Sequence, residues 1–201
     1  MDKVVRQVHG SKAFQIDNID PQVLGIIVGA FVVLLTIIFF FVWHRKRSAR
    51  RHVLIVGLSD SGKTLLFSNL IHNKFVHTHT SVKENEDDYY VSKSLLRVVD
   101  VPGHERLRGK FFDKYKSLAR GIIYVIDSVT FQKELQDVAE FLYVLLMDPV
   151  VASNCPPFLI LCNKQDQTMA KGSSVVQKLL EKEMNTLRMT KSSQLESTME
   201  T

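Results

Sequence analysis

A glycine-rich stretch that opens a helical pattern carries the clearest chemistry in the sequence. Its residues G-L-S-D-S-G-K-T, Gly57–Thr64, have the spacing of a phosphate-binding loop. Gly57 and Gly62 permit a tight turn in which consecutive backbone N–H groups bind phosphate oxygens. Lys63 would place a charge beside the β- and γ-phosphates, and the Thr64 hydroxyl would bind Mg²⁺. The predicted nucleotide contacts in this stretch are Gly57, Leu58, Ser59, Asp60, Ser61, Gly62, Lys63, Thr64 and Leu65.

An acidic turn, D-V-P-G-H-E, ends a later apolar run at Asp100–Glu105. Asp100 would hold Mg²⁺ through the water shell of the metal, because that hard cation prefers oxygen ligands. Gly103 would bring a backbone N–H group to the γ-phosphate. Since this turn lies one strand after the phosphate loop, the two together predict a nucleoside triphosphate site that includes Mg²⁺.

A third motif, N-K-Q-D, directly follows the apolar run F-L-I-L-C and distinguishes between bases. The Asp166 carboxylate would accept two hydrogen bonds from the ring N–H and the amine of guanine. Adenine offers no such pair of donors, and an unmatched charged acceptor costs a few kcal/mol. The Lys164 stem would cover the base, and Asn163 would tie this loop to the phosphate loop. The predicted ligand is therefore GTP or GDP.

The polar loop H-T-H-T-S, residues 77–81, lies between the first helix of the domain and the next strand. A threonine hydroxyl there would complete Mg²⁺ coordination only while the γ-phosphate is present, which is how such switches report their state. Thr80 is favoured by its separation from Thr64, and Thr78 is the alternative. The predicted contacts in this loop are Thr78, His79, Thr80 and Ser81.

Apolar runs and helical patterns alternate after residue 51, as expected for an α/β domain whose mainly parallel sheet is flanked by helices. The predicted strands are His52–Val56, Tyr89–Ser92, Leu95–Asp100, Gly121–Asp127 and Phe158–Cys162. A tight turn joins the second and third strands, and 150–157 is predicted to be a loop. The predicted helices run from the phosphate loop to about Asn73, over Glu105–Arg120, from Phe131 to Met147, and over Ser174–Leu187.

An uncharged run, Val23–Trp43, precedes this domain. It is about 20 residues long, or roughly 30 Å as a helix, which matches the thickness of a bilayer core. The basic block that follows, Arg45–Arg51, marks the cytosolic side, so we expect residues 1–22 to lie outside the cytosol. The predicted organisation is a lumenal segment at 1–22, a transmembrane helix at 23–43, a basic linker at 44–51, a GTPase domain at 52–188 and a disordered tail at 189–201.

Charge and cysteine content exclude two other classes of site. The formal net charge is +5, and removal of the basic block would leave the chain near neutral. The excess charge is therefore one patch, and we predict no direct binding of nucleic acid. The two cysteines, Cys155 and Cys162, lie in the predicted cytosolic part, where neither a disulfide nor a metal site is expected.

These motifs in this order resemble the small GTPases of the Ras/Arf superfamily. Together with the apolar run, the basic linker and F-Q-K-E-L-Q-D-V-A-E-F-L-Y, they resemble the β subunits of the signal recognition particle receptor over about Val23–Leu187. The resemblance implies an anchor in the endoplasmic reticulum membrane whose GTP-bound form binds the receptor α subunit. It also implies an indirect link to the ribosome or translocon, and a role in co-translational targeting of secretory and membrane proteins.

The resemblance also bears on hydrolysis and on the end of the domain. His104 stands where Ras-like proteins have a water-orienting glutamine, so it is the candidate catalytic residue. No arginine is identifiable as a finger, and we expect slow hydrolysis at most. The resemblance implies a further strand, a guanine-contacting loop and a closing helix, which nothing after Asp166 matches. We therefore expect a domain without its last strand and helix, an open strand edge and weakened guanine affinity.

Three other functions remain as alternatives. The chain could be an Arf-like trafficking GTPase, although a protein anchor replaces the lipid anchor expected there. It could instead be a membrane anchor that does not switch, since an incomplete domain would have little use for nucleotide. A P-loop transporter or kinase is the third, but one uncharged helix forms no pathway and N-K-Q-D disfavours ATP.

Overall fold

The computed structural model describes residues 21–48, 50–75, 81–91 and 94–199. Two compact units divide the chain, Met1–Arg47 and Ser48–Thr201. In the first, helix α1 spans Pro21–Ser48. Its window Leu24–Phe41 has a mean hydropathy of 3.0 and no buried residue, so α1 is long and apolar enough to cross a membrane. The predicted span therefore coincides with a helix.

Five strands form one mixed sheet in the second unit, in the order β2-β3-β1-β4-β5. β3, β1, β4 and β5 are parallel, and β2 pairs antiparallel with β3. This arrangement confirms the predicted α/β fold. The strands are β1 (His52–Val56), β2 (Asn85–Val91), β3 (Ser94–Asp100), β4 (Ala119–Asp127) and β5 (Phe158–Asn163).

The helices cover the two faces of the sheet unequally. The larger core is formed by residues of α3, α4, α5 and α6 against one face, with Tyr124, Phe131 and Leu145 almost fully buried. The smaller core lies where Phe67 of α2 packs on Ile55 and Val125 of the other face. The helices of this unit are α2 (Lys63–His72), α3 (Glu105–Tyr115), α4 (Leu135–Met147), α5 (Pro149–Asn154) and α6 (Ser173–Met199).

Helix α2 follows the predicted bounds, and its predicted inward face is correct in part. The sequence pattern placed Leu65, Leu66, Leu70 and Ile71 inward. In the structure Leu66 and Ile71 are partly buried against the smaller core, Phe67 is the buried apolar residue of the helix, and Leu70 is exposed.

The helix predicted over Glu105–Arg120 is shorter in the structure. It ends at Tyr115, a 3₁₀ turn covers Lys116–Leu118, and β4 begins at Ala119. Ala119 is fully buried and lies opposite His52 of β1. Sheet pairing therefore outweighs the helical pattern at this junction.

A short helix replaces part of the loop predicted over 150–157. Asp148 is the N-cap of α5, and its Oδ1 accepts hydrogen bonds from the N–H groups of Val150 and Val151 at 2.9 and 3.2 Å. Pro149 takes the first helical position, where its missing N–H has no cost. Cys155 ends the helix with a left-handed backbone, φ +43°.

The last helix, α6, extends to Met199 and so includes most of the tail that was predicted to be disordered. Val176 and Leu180 are buried, as the predicted stripe requires. Beyond the predicted end at Leu187, the Lys191 ammonium lies 5.1 Å from the ring centre of Tyr143 on α4. A cation–π contact of this kind favours continuation of the helix along α4.

Strand β5 was predicted to be buried, but it is half exposed. Among the described residues β4 is its only neighbour, so one edge of β5 carries no strand. Leu159 is 54% exposed and Ile160 is 43% exposed. Both apolar side chains therefore face open space in the described part of the chain, on opposite sides of the strand.

Candidate functional site

The predicted motifs meet at one edge of the sheet, because parallel strands place their carboxyl ends together. β1 leads into the phosphate loop, β3 ends at Asp100, and β4 and β5 end at Asp127 and Asn163. A cavity of about 290 Å³ lies there. It is lined by Ser59, Asp60, Gly62, Lys63, Thr64, Leu65, Ser81, Val101, Pro102, Gly103 and Lys164.

Two glycines give the phosphate loop its shape. Gly57 has φ +150° and Gly62 has φ +88°, and a Cβ on Gly57 would lie 2.3 Å from the Val125 carbonyl oxygen. Among the described hydrogen bonds, none uses the backbone N–H groups of residues 59–62. These donors sit at the N-terminus of α2, which is the arrangement that binds phosphate.

Lys63 is buried within this loop. Its ammonium donates to the Leu58 carbonyl at 2.5 Å and reaches the Ser61 hydroxyl at 3.4 Å. Burial lowers the pKa of Lys63 to about 8, against the opposing effect of the Asp100 and Asp60 charges. A buried ammonium with few ligands is suited to a phosphate, whose charge would restore the ordinary pKa.

The residues predicted to hold Mg²⁺ form a compact oxygen cluster. Asp100 is fully buried, and its Oδ2 accepts hydrogen bonds from the Thr64 hydroxyl at 2.7 Å and the Asn85 amide at 3.1 Å. The Ser81 hydroxyl lies 3.1 Å from that of Thr64. The Asp100 Oδ1 has no partner among the described residues, and burial raises the pKa of this carboxyl.

This cluster fits a hydrated divalent cation. A hydroxyl and an unpartnered buried carboxylate oxygen are ligands that Mg²⁺ or its waters prefer. Thr64 and Ser81 would hold the ion, and Asp100 would bind its water shell. Asn85 was not predicted; its signal was its place at the start of a strand opposite Asp100.

The switch threonine cannot be assigned from the described residues. Thr78, His79 and Thr80 all lie outside them, so the choice between Thr78 and Thr80 remains a prediction. Ser81, the next residue along, is described and lines the cavity. The last residue of this loop, Ser81, therefore belongs to the oxygen cluster.

The acidic turn approaches the phosphate loop closely. A Cβ on Gly103 would lie 2.6 Å from the Ser59 nitrogen, so this position allows only glycine without movement of the loop. His104 is the N-cap of α3, with its Nδ1 accepting from the Arg106 N–H at 3.3 Å. Its side chain is exposed and is not among the residues that line the cavity. The structure thus gives His104 a capping contact.

At the other end of the site lies the N-K-Q-D motif. The Asn163 amide donates to the Ser61 carbonyl at 2.9 Å and so joins this motif to the phosphate loop. Lys164 has a left-handed backbone, φ +60°, and its ammonium donates to Asp127 Oδ2 at 2.7 Å. Asp166 is exposed. Asp127 was not predicted, although its place at the carboxyl end of a strand could have identified it.

Comparison with known proteins gives these motifs a family. The family model described as "Signal recognition particle receptor beta subunit" matches residues 48–201. The signal recognition particle receptor subunit beta of Rattus norvegicus is 49% identical over 177 residues, which cover 86% of this chain. The same match covers 65% of the rat protein, so the chain spans about two thirds of the length of such relatives.

Two solved structures have the same fold. The structure of the mammalian SRP receptor aligns with a TM-score of 0.68 and 49% identity, covering 71% of this chain and 78% of that one. The Arl6 small GTPase of Trypanosoma brucei, solved with bound GppNp, aligns with a TM-score of 0.58 and 24% identity, covering 65% and 76%. The chain belongs to the family of signal recognition particle receptor β subunits.

Proposed function

We propose that this chain binds GTP or GDP together with Mg²⁺ in the cavity at the carboxyl edge of the sheet. The observation that carries the proposal is the meeting of Lys63, Thr64 and Asp100 beneath the free N–H groups of the phosphate loop. When bound, Mg²⁺ would neutralise charge on the β- and γ-phosphates. The buried lone Oδ1 of Asp100 supports such a cation, because an unpaired buried carboxylate oxygen is otherwise costly.

The base end supports guanine as the ligand. The Asn163 amide is bound to the phosphate loop, and this bond restrains the start of the N-K-Q-D motif beside that loop. In this arrangement Asp166 would accept two hydrogen bonds from guanine. Asp166 is exposed and is therefore accessible to a nucleotide base.

We further propose that α1 anchors the chain in the endoplasmic reticulum membrane with residues 1–22 lumenal and the second unit cytosolic. Family membership and the apolar helix support the anchor, and the basic block supports the orientation. In the GTP state the chain would bind the α subunit of the receptor and so support co-translational targeting. Contact with the ribosome or translocon would be indirect.

Hydrolysis is proposed to be slow at most. His104 is next to Gly103 and would lie near the γ-phosphate, but its Nδ1 already caps α3. To orient a water molecule, the ring would have to use its other nitrogen or release the cap. The chain would then act as a switch, and the lifetime of its GTP-bound state would depend mainly on partner proteins that accelerate hydrolysis.

The test of nucleotide identity uses the full chain in lipid nanodiscs. GTP and XTP are titrated against the wild type and Asp166→Asn, since the amide offers donors where the carboxylate offers acceptors. We expect the wild type to prefer GTP and the variant to prefer XTP, by about a hundredfold in each case. Chelation of Mg²⁺ should weaken GTP binding in both proteins. Equal affinity of the wild type for the two nucleotides would refute guanine recognition.

The test of switching measures capture of the receptor α subunit by the same nanodiscs. We expect capture with a non-hydrolysable GTP analogue and little capture with GDP. Lys63→Met should abolish the difference between the two nucleotides. If capture is equal in all these conditions, the chain is an anchor that does not switch.

A further inference from the structure

The last residue of β4, Asp127, and the residue after it, Ser128, bind the loop over 163–171, which we name the base loop. Asp127 is 7% exposed, and its Oδ1 accepts hydrogen bonds from the N–H groups of Val129 and Thr130 at 2.8 and 3.4 Å. Its Oδ2 accepts the Lys164 ammonium at 2.7 Å. The two backbone N–H groups that follow therefore hold the carboxylate in place, and its second oxygen is left to bind the lysine.

Lys164 requires such a partner. Its φ of +60° is unfavourable for a residue with a side chain, and such a conformation persists only when its surroundings over-determine it. The lysine side chain lines the cavity and is 29% exposed. Although burial opposes ionisation, the Lys164 ammonium and the Val129 N–H keep the pKa of Asp127 below its usual value. The Asp127 carboxylate is thus charged at neutral pH.

Ser128 binds the same loop at three further points. Its N–H donates to the Asn163 carbonyl at 3.2 Å, and its carbonyl accepts the Lys171 N–H at 2.9 Å. Its hydroxyl accepts the Gln165 amide at 2.7 Å, and that amide also donates to the Lys171 carbonyl at 3.0 Å. Ser128 itself is fully buried, which limits the access of water to its own side of these bonds.

Two adjacent residues therefore hold the base loop at both of its ends. Asn163, Lys164 and Gln165 are bound at its start, and Lys171 at its end. Asp166 lies inside this closed segment, and its exposed side chain has no ion pair among the described residues. Asp127 and Ser128 thus restrain the segment that carries Asp166.

We propose that Asp127 and Ser128 are positioning residues for guanine specificity, acting on the base through Lys164 and Gln165. This inference rests on the proposed binding of guanine nucleotide. Among the described residues, Asp127 and Ser128 make no hydrogen bond or ion pair with the phosphate loop, so their loss should affect the base more than the phosphates. An effect on fold stability alone would weaken all nucleotides equally.

The readout is the ratio of the affinities for GDP and IDP. Inosine lacks the exocyclic amine of guanine, so this ratio reports one of the two hydrogen bonds to Asp166. The full chain in nanodiscs is titrated with both nucleotides, by competition against a fluorescent GDP. Asp127→Asn should reduce the preference for GDP by about tenfold, because the charge-assisted bond to Lys164 is lost and the base loop loses one of its restraints.

The chain offers a closely matched control. Asp148 has the same two roles elsewhere: its Oδ1 caps Val150 and Val151, and its Oδ2 accepts the Lys116 ammonium at 2.7 Å. Asp148→Asn should therefore cost similar stability and leave the GDP/IDP ratio unchanged. Ser128→Ala, which removes only the Gln165 bond and keeps the backbone bonds, should reduce the ratio by about threefold.

A double variant tests whether Asp127 acts on the base through Lys164. Asp127→Asn added to Lys164→Met should have no further effect on the ratio, because the lysine has already lost its role. If folded Asp127→Asn and Ser128→Ala keep the wild-type ratio, the inference is wrong while guanine recognition stands. If the wild type itself shows no preference for GDP over IDP, the proposed guanine recognition fails and this inference falls with it.

Discussion

The phosphate end of the cavity is shaped by backbone atoms, whereas the base end is shaped by side-chain hydrogen bonds. At the phosphate end, shape comes from backbone at close approach: a Cβ on Gly57 or Gly103 would lie 2.3 or 2.6 Å from a neighbouring backbone atom. At the base end, shape comes from side chains, with Asp127 and Ser128 holding the base loop through ammonium and amide groups. Among the described hydrogen bonds, the one from the Asn163 side chain to the Ser61 carbonyl joins the two ends.

This difference indicates how each end responds to change. Backbone in van der Waals contact has no alternative conformation at low cost, so substitutions at the phosphate end should fail sharply. Side-chain bonds can be lost one at a time, so the base end should lose selectivity in steps. Affinity for any nucleotide should depend on the first end, and choice among nucleotides on the second.

The largest effect should come from Gly57→Ala. The new methyl would clash with the Val125 carbonyl, and φ +150° disfavours any side chain. We expect a loss of about 3 kcal/mol or more in unfolding free energy, measured by chemical denaturation of the full chain in detergent. Gly109→Ala is the control: Gly109 lies in α3 with open space around it, so alanine there should stabilise by about 0.5–1 kcal/mol. Equal stability of the two variants would contradict the contrast between the ends.

The second-largest effect should come from Lys63→Met, which should weaken nucleotide binding without changing the preference for GDP over IDP. Removing the buried ammonium takes a charge from beside the phosphates, so GDP and IDP should both bind about a hundredfold more weakly. Their ratio should remain that of the wild type, because the base loop is untouched. Competition titration measures both. A ratio that fell with the affinity would show that the two ends are not separate.

The sequence could predict the phosphate end because its chemistry is contiguous. Gly57, Gly62, Lys63 and Thr64 lie within eight residues, and a strand and a helix must flank them. The bounds of β1 were also predictable, since an apolar β-branched run leads directly into the loop. Local pattern is sufficient where every functional group belongs to one turn.

The base end was only partly predictable, because its support comes from a distant strand. Asp127 and Lys164 are 37 positions apart, and no spacing rule joins them. The available signal was that parallel strands align their carboxyl ends, so a polar residue ending β4 should meet the loop after β5. Helix α5 is a second case: Asp148 followed by Pro149 is a typical helix start, but the residues after this pair were predicted to be a loop.

A third effect concerns the bond that joins the two ends. Asn163→Ala removes the donor to the Ser61 carbonyl, so both the phosphate loop and the base loop lose a restraint. We expect GDP affinity to fall by about tenfold and the GDP/IDP ratio by about threefold. Gln177→Ala, on the exposed face of α6, is the control and should change neither value. Loss of affinity with an unchanged ratio would show that Asn163 serves the phosphate end alone.

The smallest effect should be a pH dependence that belongs to the phosphate end. Burial lowers the pKa of Lys63 to about 8 in the free protein, whereas a bound phosphate would favour the charged ammonium. Above that pH, binding must take up a proton, so GDP affinity should fall by about fourfold from pH 7 to 8.5. Lys63→Arg should bind without this dependence, because a guanidinium stays charged. The GDP/IDP ratio should stay level in both proteins, and a wild-type profile as flat as that of the arginine variant would show that Lys63 is already charged before nucleotide binds.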